Sequence, residues 1–426
     1  MTPADLSIMF FLQMAVVITV CRLVGWVADR FLGQPQVVGE MIAGVVLGPS
    51  LFGLVAPGPQ AALFPADSRS ILFVGAQLGV GLYMFLVGLE FRSEHFRSQA
   101  RSAAAVSLSG MAAPFAVAAL LSPWLLSRGL FGEGVDQFQA FLFTGAAISI
   151  TAFPMLARII KERGLAGTPL GVLSLSAGAI DDAGAWTVLA IVLATFGGGP
   201  MLAAKAVIGG GLFVLFMLTV GRRLLAPLGD RVERDGGVSP AVTALILILF
   251  MLSAFAMDAV GIHAVFGGFI LGCVMPRGRL AEDVKVQLES FTVIALLPMF
   301  FTFSGLNTRL DLVGSAGLLL LTLVVLGGSI LAKGGACWAA ARLTGHDNRT
   351  ALGVGALMNA RGLMELIIIN IGLQKGVIGG ALFSMFVTMA IVTTLLASPL
   401  FELAYGRNRI APARGVRRAS GVGLDG

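Results

Sequence analysis

Apolar runs of membrane-crossing length recur so often in this chain that they leave it one kind of environment in which to fold. A helix rising 1.5 Å per residue needs about 20 apolar residues to cross the hydrocarbon of a bilayer. Windows of that length centre near residues 17, 43, 80, 113, 148, 182, 213, 249, 268, 298, 325, 362 and 390. The pattern predicts an all-α polytopic membrane protein of about 13 transmembrane helices. With 57% hydrophobic and 12% charged residues over 426 positions, the apolar surface exceeds what a soluble core can hide.

The net charge of +6 is a topology signal and not the mark of a nucleic-acid partner. Lys and Arg collect after each odd-numbered helix, while Arg69, Arg128, Lys205, Arg309 and Lys375 fall on the other side and Lys333 and Arg361 lie within helices. The positive-inside rule then puts the amino terminus outside and the carboxyl terminus in the cytoplasm of a multi-pass protein of the cell (inner) membrane. Residues 1–405 form the membrane domain, and residues 406–426 a short basic cytoplasmic tail. The first apolar run has neither a preceding basic region nor a small-residue cleavage site, so it is expected to stay as a helix. Cys21, Cys273 and Cys337 sit in separate apolar segments and read as small buried hydrophobes.

Two carboxylates interrupt this apolar background at its most expensive place. Asp181 and Asp182 lie at the middle of Leu170-GVLSLSAGAIDDAGAWTVLAIVLA-Thr195, where each charge costs roughly 2.5 to 3.5 kcal/mol on insertion scales. Such a pair suits a site at which a cation and protons compete for the same oxygens. Carboxylate, hydroxyl and unwound-backbone oxygens are the ligands a dehydrated sodium or potassium ion takes. The three histidines, His95, His263 and His346, do not cluster to compete for that role.

The two halves of the chain echo one another. Val38-GEMIAGVVLGP in the second helix matches Phe266-GGFILGCVMP in the ninth, aligning Gly39 with Gly267 and Gly44 with Gly272. Gly88-LEFR matches Gly305-LNTR at the ends of the third and tenth. A spacing of seven helices makes the second copy enter the membrane in the opposite sense, the inverted repeat of secondary transporters. The same register pairs the fifth helix with the twelfth, and each carries a breaker at mid-membrane: Phe153-Pro154 in one and Arg361-Gly362 in the other. Unwound backbone at that depth must line a cavity or be buried in protein.

These residues carry a resemblance. Thr151-AFPMLARIIKERGL, the Asp-Asp helix and Met358-NARGLMELIIINIGL resemble the monovalent cation:proton antiporter family, in the branch with Kef-type potassium/proton systems and plant cation/proton exchangers. The similarity runs from Gln34-PQVVGEMIAGVVLGPS through the thirteenth helix. It implies the sodium/proton antiporter fold, with helices 4–6 and 11–13 as an ion-carrying core, helices 1–3 and 8–10 as a dimer scaffold and helix 7 as the linker. It implies elevator-type, electrogenic exchange of sodium or potassium for protons by a homodimer, without a cofactor and without enzymatic activity. Asp182 corresponds to the ion-binding carboxylate, Asp181 to the preceding aspartate of electrogenic members, Lys333 to the lysine that pairs with it, and Thr151 to an oxygen donor at the break. Pro154, Asn359, Arg361 and Glu365 fall on the broken helices as accessory positions.

Rival functions fit less well. An intramembrane aspartyl protease needs two aspartates facing one another across a water, whereas neighbours on a helix point about 100° apart, and Pro227-Leu228-Gly229-Asp230 lacks the first glycine of the expected motif. A channel or receptor has no need of a titratable pair matched to two broken helices. A sodium-coupled carrier of an organic solute on the same fold is the nearer alternative.

Overall fold

The computed structural model describes residues 2–34, 36–90, 99–165, 168–196, 200–260 and 264–405, and the side chains of Pro154 and Asp182 lie outside that description. His263 and the expected tail at 406–426 also lie outside the described residues. Among the described residues the regular secondary structure is helical, joined by turns and short unwound segments, with one isolated bridge between Phe131 and Ile378.

In chain order the helices begin with α1 (Pro3–Leu32), α2 (Gln36–Leu47), the short α3 (Phe52–Val55) and α4 (Pro57–Leu63), α5 (Arg69–Glu90) and α6 (Ala100–Ser127). Next come α7 (Gln137–Ser149), α8 (Phe153–Glu162), α9 (Pro169–Phe196), α10 (Pro200–Phe216) and α11 (Arg222–Asp235). The second half holds α12 (Pro240–Ala259), α13 (Ala264–Val274), α14 (Arg279–Phe291), α15 (Leu297–Leu306), α16 (Ala316–Leu343), α17 (Asn348–Leu357), α18 (Leu363–Gln374) and α19 (Gly380–Tyr405). Single π-helical turns join α10 to α11 and α14 to α15, so each of those pairs is one continuous rod with a local bulge.

Nine stretches among the described residues are long and apolar enough to cross a membrane. The remaining expected crossings fall on α7–α8, α9, α13 and α17–α18, which are interrupted, short or only partly described. Start signals are local: Thr2 and Asp5 form a capping box on α1, Asp136 and Gln139 another on α7, and Asp347 accepts from the first amides of α17. Exposed apolar side chains such as Phe11 and Leu23 on α1, Leu212 on α10, and Leu319 and Leu331 on α16 face outward, the surface that lipid and not water would cover.

Packing rests on close backbone approach at glycines. A Cβ on Gly44 of α2 would overlap the carbonyl of Phe301 on α15, and one on Gly305 would overlap that of Gly44. A Cβ on Gly272 of α13 would overlap the carbonyl of Phe85 on α5, and one on Gly88 that of Phe269. Gly39 meets Gly25 of α1 in the same manner, as Gly267 meets Ser253 of α12. Because Gly39, Gly44 and Gly88 align with Gly267, Gly272 and Gly305 in the sequence, each close approach at a first-half glycine has its counterpart at the aligned glycine of the second half. Small residues at such crossings supply the van der Waals contact that holds helices together where the hydrophobic effect gives no help.

A second set of close contacts gathers other helices. Gly110 of α6 lies where a Cβ would come within 2.6 Å of Cys337 Sγ on α16, and Gly355 of α17 where a Cβ would come within 2.6 Å of the Gly334 carbonyl on α16. We expect Gly44→Val to lower the thermal unfolding midpoint in detergent by several degrees, reflecting overpacking of about 1–3 kcal/mol or more. Gly211→Ala, at a position with open space around it, is the control that leaves the midpoint where it was.

Candidate functional site: a buried ion pair where two broken helices cross

Both expected helix breaks are present, and they touch. α7 stops at Ser149, Ile150 turns extended at φ −81° and ψ 136°, and α8 begins at Phe153 with Pro154 as its second residue. α17 stops at Leu357 and α18 begins at Leu363. The unwound segments meet, with the Ala152 amide donating to the Ala360 carbonyl at 3.0 Å. A side chain at Gly362 would come within 2.8 Å of Met155 on α8, so glycine permits the crossing.

Ending a helix inside a membrane leaves its last four carbonyls without partners. At α7 those carbonyls belong to Ala146, Ala147, Ile148 and Ser149, and two buried cations take three of them. Arg361 donates from Nη1 to Ala147 O at 3.0 Å and from Nη2 to Ile148 O at 2.6 Å. Lys333 Nζ donates to Ser149 O. Ser149 Oγ lies 3.4 Å from the fourth, Ala146 O. The negative end of the half-helix dipole therefore points at two positive charges, a favourable alignment.

Lys333 joins that cap to the acidic helix. Its ammonium lies 2.7 Å from Asp181 Oδ2, both side chains fully buried, and within 3.4 Å of the Gly110 carbonyl of α6. Thr151 Oγ1 lies 2.7 Å from the same carboxylate oxygen and 2.9 Å from the Met358 carbonyl, so its single proton has two acceptors, one on α9 and one in the second break. The other carboxylate oxygen, Asp181 Oδ1, accepts from Ser107 Oγ at 2.6 Å.

Asp181, Lys333 and Thr151 are thus brought into direct contact, and Asp182 follows Asp181 on α9 with its side chain outside the described residues. Asn359, in the second break, bonds through Nδ2 to Gly355 O at 2.9 Å, while its Oδ1 has no hydrogen-bond partner among the described residues. Glu365 in the first turn of α18 has Oε1 3.4 Å from Arg361 Nη1, and neither carboxylate oxygen has a hydrogen-bond partner among the described residues. Thr394 of α19 holds the break from behind, accepting from the Arg361 amide at 3.1 Å. Ser107, the carbonyls of Ser149 and Met358, and Thr394 were not singled out by sequence. A serine in an apolar helix ordinarily bonds to its own backbone, and carbonyls carry no sequence signal.

An all-helical membrane protein with a buried carboxylate–ammonium pair at the crossing of two broken helices is built as a secondary transporter. Residues 6–403 match the sodium/hydrogen exchanger transmembrane family, and the chain belongs to it; it is a transporter and not an enzyme. The Na(+)/H(+) antiporter NhaS4 of Synechocystis sp. is 39% identical over 92% of this chain and 95% of its own length. Cation/H(+) antiporter 19 of Arabidopsis thaliana is 33% identical over 95% of this chain, which spans only 50% of that relative. Among solved structures, the sodium proton antiporter MjNhaP1 of Methanocaldococcus jannaschii shares the fold, at 16% identity and a TM-score of 0.65, over 93% of this chain and 96% of that one.

The ion pair makes a stability prediction. Lys333→Gln alone leaves Asp181 buried without its cation and should cost about 3–5 kcal/mol, whereas Lys333→Gln together with Asp181→Asn should recover most of that loss. Thermal unfolding of the purified single and double variants checks it; equal midpoints for the two would show that the pair does not carry the site's stability.

Proposed function

We propose that this protein is a secondary antiporter exchanging a monovalent cation, sodium or potassium, for protons across a cell (inner) membrane, and that it needs no cofactor. The observation that carries this reading is the fully buried Asp181–Lys333 pair, held 2.7 Å apart at the crossing of the two broken helices, in a chain of the sodium/hydrogen exchanger family. The names of its relatives, a sodium/proton and a cation/proton antiporter, agree with it.

The geometry suggests how cation and proton compete. Lys333 sits among a carboxylate oxygen and two carbonyl oxygens, those of Asp181, Ser149 and Gly110, which is the ligand type a dehydrated monovalent cation requires. The ammonium holds this ground while the site lacks its ion. In our reading a cation arrives at Asp182, displaces the proton there and draws on Asp181. The Asp181–Lys333 pair weakens, and the pair exchanges a second proton. Two protons then cross against one cation, and the single net charge couples the cycle to membrane potential at about 2.3 kcal/mol per 100 mV.

Alternating access follows the same division of helices. Counting the broken pairs as single crossings gives thirteen helices in two inverted repeats, with the amino terminus outside and the carboxyl terminus cytoplasmic. We infer that α1–α5 with α12–α15 form a scaffold through which two copies pair, that α6–α9 with α16–α19 move as the core, and that α10–α11 link them. The glycine contacts support this: Gly39, Gly44, Gly88, Gly267, Gly272 and Gly305 each meet a partner inside the first group, Gly110 and Gly355 inside the second. The Asn370 Nδ2 to Ser304 Oγ bond of 3.1 Å spans the seam and is one that motion of the core must break.

Two measurements test the reading. Asp182→Asn, which keeps the shape and one acceptor oxygen but cannot exchange a proton, should abolish cation-driven proton movement in proteoliposomes while the protein remains folded; full exchange would remove Asp182 from the site. With potential clamped by a potassium gradient and valinomycin and sodium as the transported ion, wild-type exchange should respond to voltage. The Asp181→Asn, Lys333→Gln double variant should exchange electroneutrally, and a wild type indifferent to voltage would refute two-proton coupling.

A further inference from the structure

Prolines inside two of the helices uncover backbone carbonyls that other parts of the chain use. A proline has no amide hydrogen, so the carbonyl four residues before it loses its intrahelical donor. Pro114 within α6 does this to Gly110, and the freed carbonyl receives Lys333 Nζ at 3.4 Å. Pro399 within α19 does it to Leu395, and the Leu395 carbonyl receives Nε2 of Gln34 at 3.1 Å. Gln34 is 4% exposed and comes from the opposite side of the seam. It follows Gly33, which closes α1 in the left-handed region at φ 59°, and its own amide is spent on the Ala28 carbonyl at 3.1 Å. The turn that carries it is fixed by the packing of α1 against α2, where a Cβ on Gly39 would come within 2.5 Å of Gly25 Cα.

We propose that Gln34 is a positioning residue for the moving core: its amide latches the Leu395 carbonyl that Pro399 uncovers, holds α19 in the place it has here, and lets go once in every transport cycle. The proposal rests on the antiport reading and on the division into scaffold and core above. The place gripped is next to the second break. Thr394, the residue before Leu395, accepts from the Arg361 amide at 3.1 Å, and its Oγ1 lies 2.8 Å from the Arg361 carbonyl. Two neighbouring residues of α19 therefore join the scaffold to the unwound segment, one facing each.

The latch costs more to open than two other bonds that cross the seam. Asn370 Nδ2, on leaving Ser304 Oγ, keeps the Leu366 carbonyl at 2.8 Å. Ser384 Oγ, on leaving the Arg309 amide, keeps the Gly380 carbonyl at 2.9 Å, and Arg309 is exposed, where water can take its amide. Gln34 has no such second bond, since its Oε1 has no hydrogen-bond partner among the described residues, and the Leu395 carbonyl has already lost its helical donor. Separating the two leaves a buried donor and a buried acceptor both empty. The bond thus favours the latched position over a shifted one and adds to the barrier for leaving it.

The test is the maximal rate of exchange in proteoliposomes, with sodium and potassium each supplied as the driving ion, beside the thermal unfolding midpoint of each purified protein. Gln34→Met keeps the length of the side chain and removes the donor; it should raise the maximal rate about three- to tenfold while lowering the midpoint. A purely structural brace would instead give a protein that loses stability and runs no faster. Pro399→Ala, at an exposed position, returns an amide to the Leu395 carbonyl; it should raise the rate by less, and it carries the test if Gln34→Met does not fold. The double variant should be no faster than Gln34→Met alone. An unchanged or slower rate in the folded Gln34→Met or Pro399→Ala protein overturns the proposal, as does a double variant in which the two gains multiply. The readings beneath it are checked separately. Ser304→Cys with Asn370→Cys, bridged by a short bis-methanethiosulfonate, should stop exchange until a reductant restores it, with wild type treated alike as the control. Continued exchange in the bridged protein refutes the moving core, and a wild type that exchanges neither cation refutes the antiport reading.

Discussion

An interrupted helix inside a bilayer must find partners for the carbonyls it exposes, and the centre of this protein is organised by that requirement. Four carbonyls at the end of α7 have no amide to accept from, in a medium where water cannot help. Arg361 arrives from the second break and takes those of Ala147 and Ile148; Lys333 arrives from α16 and takes that of Ser149. Each break thus completes the other, through Arg361 to α7, through Thr151 to the Met358 carbonyl, and through the amide of Ala152 to the carbonyl of Ala360. The buried charges that look costly in isolation are the means by which the backbone can be unwound at all.

The repeat gives this arrangement its frame. Contacts between α2 and α15 and between α13 and α5 are made by glycines that the sequence aligns across its halves. The two interrupted helices meet at their unwound segments, joined by the Ala152 amide and the Ala360 carbonyl. Were only one half to carry a break, its free carbonyls would face a continuous helix, whose backbone donors are already spent on itself.

How much of this could be read from residues depends on the range of each interaction. Helix positions and the Phe153-Pro154 and Arg361-Gly362 breaks follow from local composition, and the structure interrupts the chain at both places. The aligned glycines were visible as a repeat, but which helix each would press against was not, since the partners of Gly44 lie more than two hundred residues away. Lys333 and Asp181 are 152 residues apart, and only the family resemblance joined them beforehand. Ser107 was beyond reach, because nothing in a run of alanines, valines and glycines distinguishes a serine that bonds its own backbone from one that crosses to a neighbouring helix. Arg361 was legible as important and illegible as to role until its two bonds to consecutive carbonyls were seen.

The two cations that cap α7 differ in kind, and the difference suits the parts they occupy. A guanidinium is planar, charged at every physiological pH and able to reach two acceptors at once. Arg361 uses that fork on two adjacent carbonyls and keeps the break closed as a fixed brace. An ammonium is a single point with three donors that point in different directions. Lys333 shares its donors among a carbonyl of α7, a carbonyl of α6 and the carboxylate of α9, so loosening the carboxylate bond leaves two others in place. A lysine can therefore release Asp181 without abandoning the cap on Ser149, whereas an arginine bound as Arg361 is could not leave one acceptor without misaligning the other. The break is held by the cation whose two bonds must move together, and the pair is made with the one whose bonds are separable.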